Sequence, residues 1–172
     1  MWPDGTPDTE GGQAVVLFCR RMSPPHRRLF DEIDVGEEYE SPARTITEAD
    51  IVMFAGVSGD YNVVHTDAEL MKGSIFGERI AHGLLILSVQ AGLLSRAMRP
   101  WASTGFATLH WRFRAPVKIG DTIRVRARVT GKKDGAEGAH GVITIARTVL
   151  NQRDEVVQEG ETDILVDRGN PA

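Results

Sequence analysis

A run of apolar residues from Leu84 to Met98 most constrains what this chain of 172 residues can fold into. The apolar side chains recur at helical spacing on three adjacent faces: Leu84, Leu87, Ala91 and Met98 on the first, Leu85, Val89 and Leu93 on the second, and Ile86 and Leu94 on the third. A helix that is apolar nearly all round is usually buried. It is shorter than the ~20 apolar residues that span a membrane. The run therefore predicts a central helix around which the rest of the chain wraps, and no membrane anchor.

Beyond Pro100 the apolar period changes from 3.6 to 2, which indicates β-strands. The alternating segments are residues 106–113, 123–129, 142–150 and 156–166. A further strand is predicted near residues 38–46, with Pro42 placing it at a sheet edge. Short connections favour antiparallel pairing. We therefore expect an α+β fold in which one antiparallel sheet of five or six strands curls around the helix. One flank of the helix would still need cover, which predicts a homodimer.

Composition excludes several classes of function. The net charge of -4 and the pI of about 5.7 leave no basic footprint for nucleic acid. Cys19 is the only cysteine, so an internal disulfide is excluded and a reducing compartment is favoured. No stretch has the features of a signal peptide. The expected location is the cytoplasm.

The patterning divides the chain into three parts. Residues 1–28 sustain no helical or strand period, which predicts a loosely ordered N-terminal tail, and Met22 is a hypothetical natural start. Residues 29–168 are predicted to form one domain. Residues 169–172 are predicted to be a short C-terminal tail.

Polar residues that can carry chemistry lie between Gly59 and the central helix. Asp60 and Asn62 are typical turn formers, and Asp67 is a plausible cap for a short helix over residues 68–72. Each of these residues, like His65 and His82, has an ordinary structural explanation when taken alone. A metal site can be drawn from Asp60, His65, Asp67 and His82, but their spacing matches no recognised metal geometry. The expectation is that no metal is bound.

Taken together, three of the residues in this region indicate a type of chemistry that none of them indicates alone. Asp60 and His65 lie five residues apart in a predicted turn, and Gly83 follows 18 residues later at the start of the buried helix. The first N–H groups of a helix lack internal partners and carry partial positive charge. A glycine there lets a ligand oxygen approach them. Groups that exchange protons beside fixed N–H donors suit the addition of water to a carbonyl-activated double bond.

The segments Ile46–Asp67 and Phe76–Leu85 resemble the hydratase signature of the MaoC-like dehydratases, the (R)-specific enoyl-CoA hydratases. The similarity extends from about Leu29 to Val166. It implies the hotdog fold, in which a sheet wraps around a central helix, and a dimer formed through the sheets. It also implies that Asp60 and His65 are the catalytic pair holding one water, and that the Gly83 N–H binds the thioester oxygen. Asn62 and His82 lie within the signature as candidate supporting residues.

Two positions depart from the family pattern. Val63 stands where a proline is common, so a fixed φ is lost. Ala91 stands where the family has a serine, so a hydroxyl is absent. Both departures favour, to some degree, a chain that binds its ligand without turning it over.

The leading prediction is reversible syn hydration of a trans-2-enoyl-CoA to an (R)-3-hydroxyacyl-CoA. Such a lyase of fatty acid metabolism needs no cofactor, because coenzyme A is part of the substrate. Two alternatives stay open: an acyl-CoA thioesterase of the same fold, and a non-catalytic acyl-CoA-binding or assembly subunit. The sequence fixes neither the acyl chain length, nor the oligomer beyond a dimer, nor which of Asp60 and His65 is the base.

Overall fold

A computed structural model describes residues 27–135 and 140–169. Its helices are a short 3-10 helix (Phe30–Glu32), α1 (Glu48–Ser58), α2 (Val63–Thr66), α3 (Ala68–Met71) and α4 (Gly83–Ala97). Its strands are β1 (Glu38–Glu40), β2 (Arg44–Thr45), β3 (Ser103–Phe113), β4 (Thr122–Asp134), β5 (His140–Leu150) and β6 (Val156–Asp167). Within these residues no helix is long and apolar enough to cross a membrane. Most of the predicted N-terminal tail lies outside the described residues.

The six strands form one antiparallel sheet with the order β1-β4-β5-β6-β3, and β2 also pairs with β4. The predicted antiparallel sheet is confirmed. The predicted strand over residues 38–46 is divided into β1 and β2, because Pro42 has no N–H to donate to a ladder. Beside it, the Ser41 N–H still donates to the Val125 carbonyl at 2.9 Å, but Ser41 Oγ replaces the Ser41 carbonyl as acceptor of the Val125 N–H, also at 2.9 Å.

The apolar core lies between α4 and one face of the sheet. The inward residues of β4 and β5 are fully buried, among them Ile123, Val125, Val129, Ile143, Ile145 and Val149. Helix α4 packs Leu85, Ile86, Leu93 and Leu94 against them. Removing this apolar surface from water is the main stabilising term. The predicted central helix is confirmed, one residue earlier than expected at its N-terminus.

Arg28 belongs to the folded body, although the sequence placed it in the tail. Its backbone N–H donates to the Pro100 carbonyl at 2.9 Å, and its guanidinium lies 2.6 Å from a Glu37 carboxylate oxygen. The Arg28 ion pair lowers the pKa of Glu37 to about 2. The folded domain therefore includes Arg28, one residue before the predicted boundary at Leu29.

One flank of α4 and the outer edge of the sheet are uncovered in the single chain. Leu84 on α4 is 59% exposed, and Ser88, Ala91 and Ser95 are exposed along the same flank. The edge strand β3 exposes large apolar side chains, namely Phe106, Leu109 and Phe113. An open edge strand beside exposed apolar surface is a template for pairing with another chain.

We expect the purified protein to be a homodimer, because a second copy would cover both uncovered surfaces in one symmetric interface. Light scattering at micromolar concentration should give about twice the chain mass of 18.9 kDa. Leu109→Glu should shift the mass towards the monomer. His110→Glu, on the opposite face of β3, is the control and should stay dimeric. A wild-type monomer at these concentrations would contradict the prediction.

Candidate active site

Helix α1 determines the position of Asp60. Thr47 caps the helix: its backbone N–H donates to Asp50 Oδ2 at 2.8 Å, and its Oγ1 accepts the Asp50 N–H at 3.4 Å. This is the reciprocal pairing of a capping box. At the other end Gly59 adopts a φ of +75°, a left-handed conformation that glycine reaches without penalty. The chain turns there and delivers Asp60 beside the end of the helix.

The segment predicted to be a turn contains the one-turn helix α2. Asn62 is its N-cap and accepts the Val64 N–H at 3.2 Å. Val63 is the first residue of this helix. Proline is favoured at that position because the N–H there has no partner within the helix, so valine in its place costs no hydrogen bond. His65 lies in α2 and is only 9% exposed. The predicted turn is therefore wrong at His65, because the Asn62 cap continues the chain as a helix that buries the ring.

His65 and Asp60 face each other across a gap. His65 Nδ1 lies 2.7 Å from the Ile80 carbonyl oxygen, which can only accept, so Nδ1 carries the hydrogen. The neutral ring therefore presents a lone pair on Nε2. This atom lies 3.9 Å from Asp60 Oδ2, too far for a direct hydrogen bond. A water oxygen about 2.8 Å from each atom would bridge the gap.

His82 holds the pair in place. Its Nε2–H donates to the Asp60 carbonyl oxygen at 2.9 Å. Its ring stacks on that of His65, with centroids 3.7 Å apart and planes at 29°, and Phe54 covers it from another side. Only 2% of His82 is exposed. His82 is thus a buried positioning residue that fixes both members of the pair and directly precedes Gly83.

Asp67 lies outside this group. One of its carboxylate oxygens accepts the Glu69 and Leu70 N–H groups at 3.0 and 2.9 Å, which makes it the N-cap of α3. The predicted capping role is confirmed. Asp67 is therefore a structural residue and not part of the candidate site.

Gly83 opens α4, and within the described residues its N–H has no hydrogen-bond partner. Its carbonyl accepts Gln158 Nε2–H at 2.9 Å, and Gln158 Oε1 in turn accepts the Trp111 indole N–H at 2.9 Å. A Cβ on Gly83 would lie 2.8 Å from the Phe113 ring. Gly83 is thus held from the sheet side through its carbonyl, whereas its N–H, which belongs to the preceding peptide group, stays a free donor beside His82.

Sequence reasoning missed the two residues that hold Gly83. Gln158 and Trp111 lie 47 residues apart along the chain, and Gln158 lies 75 residues from Gly83. A glutamine on the same face of β6 as Ile164 and Val166 was the available signal, since a buried amide needs partners.

A metal ion suits this cluster poorly. Ligand atoms of Asp60, His65 and His82 lie within 4.8 Å of one another. The two stacked rings, however, direct their in-plane lone pairs along nearly parallel planes, so one ion cannot lie in both. That the site works without metal stays a prediction.

Ala91 lies eight residues along α4 from Gly83, which is about 12 Å at 1.5 Å per residue. It is exposed on the uncovered flank of the helix. The hydroxyl missing at this position therefore does not belong to the Asp60–His65 gap.

Known structures share this architecture. A Mycobacterium tuberculosis protein described as having a double hotdog fold superposes with a TM-score of 0.75 and 17% identity, covering 85% of this chain and 47% of that one. The sheet wrapped around α4 is therefore a hotdog fold. Residues 32–150 match the family described as the MaoC like domain, and the chain belongs to this family.

Individual relatives agree with the assignment. Protein MaoC of Klebsiella aerogenes is 49% identical over 104 residues, which cover 59% of this chain but 30% of that protein. An (R)-specific enoyl-CoA hydratase of Rhodospirillum rubrum is 33% identical over 80% of this chain and 90% of its own length. An Archaeoglobus structure described as a monoamine oxidase regulatory protein has a TM-score of 0.79 and 36% identity, over 85% of this chain and 99% of that one.

Proposed function

We propose that the protein is a hydratase/dehydratase that reversibly adds water to a trans-2-enoyl-CoA and forms an (R)-3-hydroxyacyl-CoA. The observation that carries the proposal is the 3.9 Å gap between His65 Nε2 and Asp60 Oδ2, which fits one water and lies beside the start of α4. Relatives named as hydratases and dehydratases support lyase chemistry for the family.

The Gly83 N–H would donate to the thioester oxygen of the substrate. Negative charge develops on this oxygen when water adds at Cβ, and the N-terminus of α4 adds its own positive potential there. Because Gln158 holds the Gly83 carbonyl, and the His82 carbonyl in the donor's own peptide group accepts the Ile86 N–H at 3.2 Å, the donor needs no rearrangement as charge develops.

Asp60 and His65 would orient the water. One of them takes a proton from it while its oxygen bonds to Cβ, and a proton then reaches Cα to complete the addition. Since both groups contact the same water, hydrogen and hydroxyl arrive on the same face of the double bond, which is syn addition. The lone pair on His65 Nε2, fixed by the Ile80 carbonyl, can accept and return a proton without a change of tautomer.

In this proposal the reaction needs neither metal nor cofactor, and coenzyme A enters with the substrate. The working unit is the homodimer predicted above. The proposed location is the cytoplasm, which the single cysteine favours.

A crotonyl-CoA assay tests the proposal. We expect the absorbance of the enoyl thioester to fall without release of free thiol, and chiral analysis to give the (R)-3-hydroxy product. Thiol release would instead identify a thioesterase. Binding of acyl-CoA without turnover of any enoyl-CoA would identify a binding subunit. Either result would overturn the hydratase proposal.

A further inference from the structure

The face of the sheet that points away from α4 carries two rows of charged side chains. Residues directly opposite one another on antiparallel strands lie on the same face, so the strand register defines each row. From β1 to β3, the first row is Glu40, Arg126, Thr148, Glu159 and Arg112, and the second row is Glu38, Arg128, Ala146, Glu161 and His110. Both rows therefore have one order: acidic, basic, uncharged, acidic, basic. We call this surface the charged face.

The charged face is low along its middle strand. Ala146 and Thr148 on β5 have short side chains, whereas arginines stand on β4 at one side and glutamates on β6 at the other. Two hollows of about 600 and 450 Å³ lie on the two sides of β5, and Ala146 and Thr148 line both of them. Long side chains of a second sheet packed on this face could enter these hollows, as side chains of facing sheets interdigitate.

The ion pairs within the chain do not compensate all of these charges. The two glutamates of β1 pair with the arginines beside them, at 3.2 Å in the first row and 3.6 Å in the second. Glu159 pairs with Arg114, which lies outside the rows. Arg112 and Glu161 are exposed and make no ion pair with any other described residue. One charge of each sign is therefore left without a partner on the charged face.

The order of charges is complementary to itself. A two-fold axis that runs parallel to β5 between two facing sheets keeps the height of every residue and reverses the order of the strands. With β5 on β5, Arg126 would face the partner's Glu159, and Arg128 would face the partner's Glu161. The glutamates of β1 would likewise face the basic residues of β3. Every charged position in both rows then meets a position of the opposite type.

The other aligned arrangement of two such sheets is unfavourable. A two-fold axis perpendicular to the strands would place β4 on β4 and β6 on β6. Arginines would then face arginines and glutamates would face glutamates, and like charges opposite one another are destabilising. The charge pattern therefore favours a single way of packing two copies.

We propose that the charged face is a self-association surface through which one homodimer binds another, with β5 of one chain on β5 of a second copy. The contact uses neither the open backbone edge of β3 nor the flank of α4, so it adds to the homodimer predicted above and is independent of the hydratase activity. Exposed ion pairs contribute little each. The second association is therefore weak, and it appears at concentrations above the micromolar range of the homodimer.

Sedimentation or light scattering of the wild type tests the proposal without any variant. Between about 5 and 500 µM in about 20 mM NaCl, the mass should rise from two chains to four chains or more. In about 500 mM NaCl it should stay at two chains, because salt screens the attraction between exposed charges. An association through apolar surface would not weaken in this way.

Charge reversal tests the arrangement of the two copies. Glu161→Arg and Arg128→Glu should each weaken the second association by about 10–100-fold, because each places like charges opposite one another twice in the symmetric contact. The double variant should regain most of the association, since opposite charges face each other again. The two single changes alter the net charge in opposite directions, so net charge alone cannot weaken both. Glu69→Arg, an exposed reversal on α3, is the matched control and should associate like the wild type.

Three results would overturn the inference. The first is a wild type that stays at two chains throughout in low salt, which is also the outcome if the charged face binds a different molecule. The second is a folded double variant that associates no better than the single variants. The third is a Glu161→Arg protein that is monomeric in dilute solution, because the charged face would then be the homodimer interface itself. Leu109→Glu protein, which lacks the edge contact, should still associate in pairs at high concentration and low salt.

Discussion

Asp60→Asn and His65→Gln should each lower kcat for crotonyl-CoA hydration by about 10²–10⁴, the usual weight of general acid–base catalysis. Each change keeps the approximate size and some hydrogen bonding but removes the capacity to exchange a proton. Because both groups contact one water in the 3.9 Å gap, the double variant should be little worse than the poorer single variant. Steady-state kinetics on all three variants measure this.

Measuring the folding stability of these variants distinguishes a catalytic role of Asp60 and His65 from a structural one. Asp60 is exposed, and its contact with His82 uses the backbone carbonyl, so Asp60→Asn should leave the unfolding midpoint unchanged. His65→Gln should lose about 1–3 kcal/mol, because the ring is buried and bonded to the Ile80 carbonyl.

Asp67→Asn is the matched control, since it makes the same chemical change at a helix cap outside the site. It should keep kcat, whereas its stability should change by no more than about 1 kcal/mol. Soluble Asp60→Asn protein that hydrates crotonyl-CoA at nearly the wild-type rate would remove Asp60 from the mechanism.

Gly83→Pro should lower kcat by about 10²–10³ relative to Gly83→Ala, the loss typical of one oxyanion donor. Proline replaces the N–H by its ring, and it is favoured at the first position of a helix. His82 already has φ -58° and ψ 133°, the extended conformation that a residue before proline requires. The structural cost of removing the donor should therefore be small.

Gly83→Ala is the control because alanine and proline both add a Cβ close to the Phe113 ring, but alanine keeps the N–H. The alanine variant reports the effect of the added Cβ, and the ratio of the two variants reports the loss of the donor together with the ring atoms that replace it. Equal kcat values for both variants would mean that the Gly83 N–H does not bind the developing negative charge.

The sequence by itself determined much of the local structure and pointed to the three residues proposed for the chemistry. Thr47 and Gly59 set the ends of α1, Asp67 capped α3, and the change of apolar period at Pro100 located the strands. These features depend on residues within a few positions of one another, so sequence spacing is enough to predict them. The three residues proposed for the chemistry were likewise visible as an ordered pattern of Asp60, His65 and Gly83.

Only the tertiary structure decided how that site is held. The tautomer of His65 depends on the Ile80 carbonyl, the gap beside Asp60 depends on His82, and the Gly83 carbonyl is held by Gln158. These contacts join segments up to 75 residues apart, and the packing of the sheet against α4 brings them together. Sequence spacing cannot report such distances.

Arg147 depends on both: the sequence predicts its place in the sheet, and the tertiary structure determines its contacts. Its place at an inward position of β5, between Ile145 and Val149, follows from the alternation alone. Among the described residues its charge has no acidic partner, and its side chain lines a groove beside the C-terminal half of α4. Both properties depend on which side chains α4, β3 and β6 present to it. The period of a strand fixes the face on which a side chain lies, whereas its partners are fixed by the packing of elements distant in sequence.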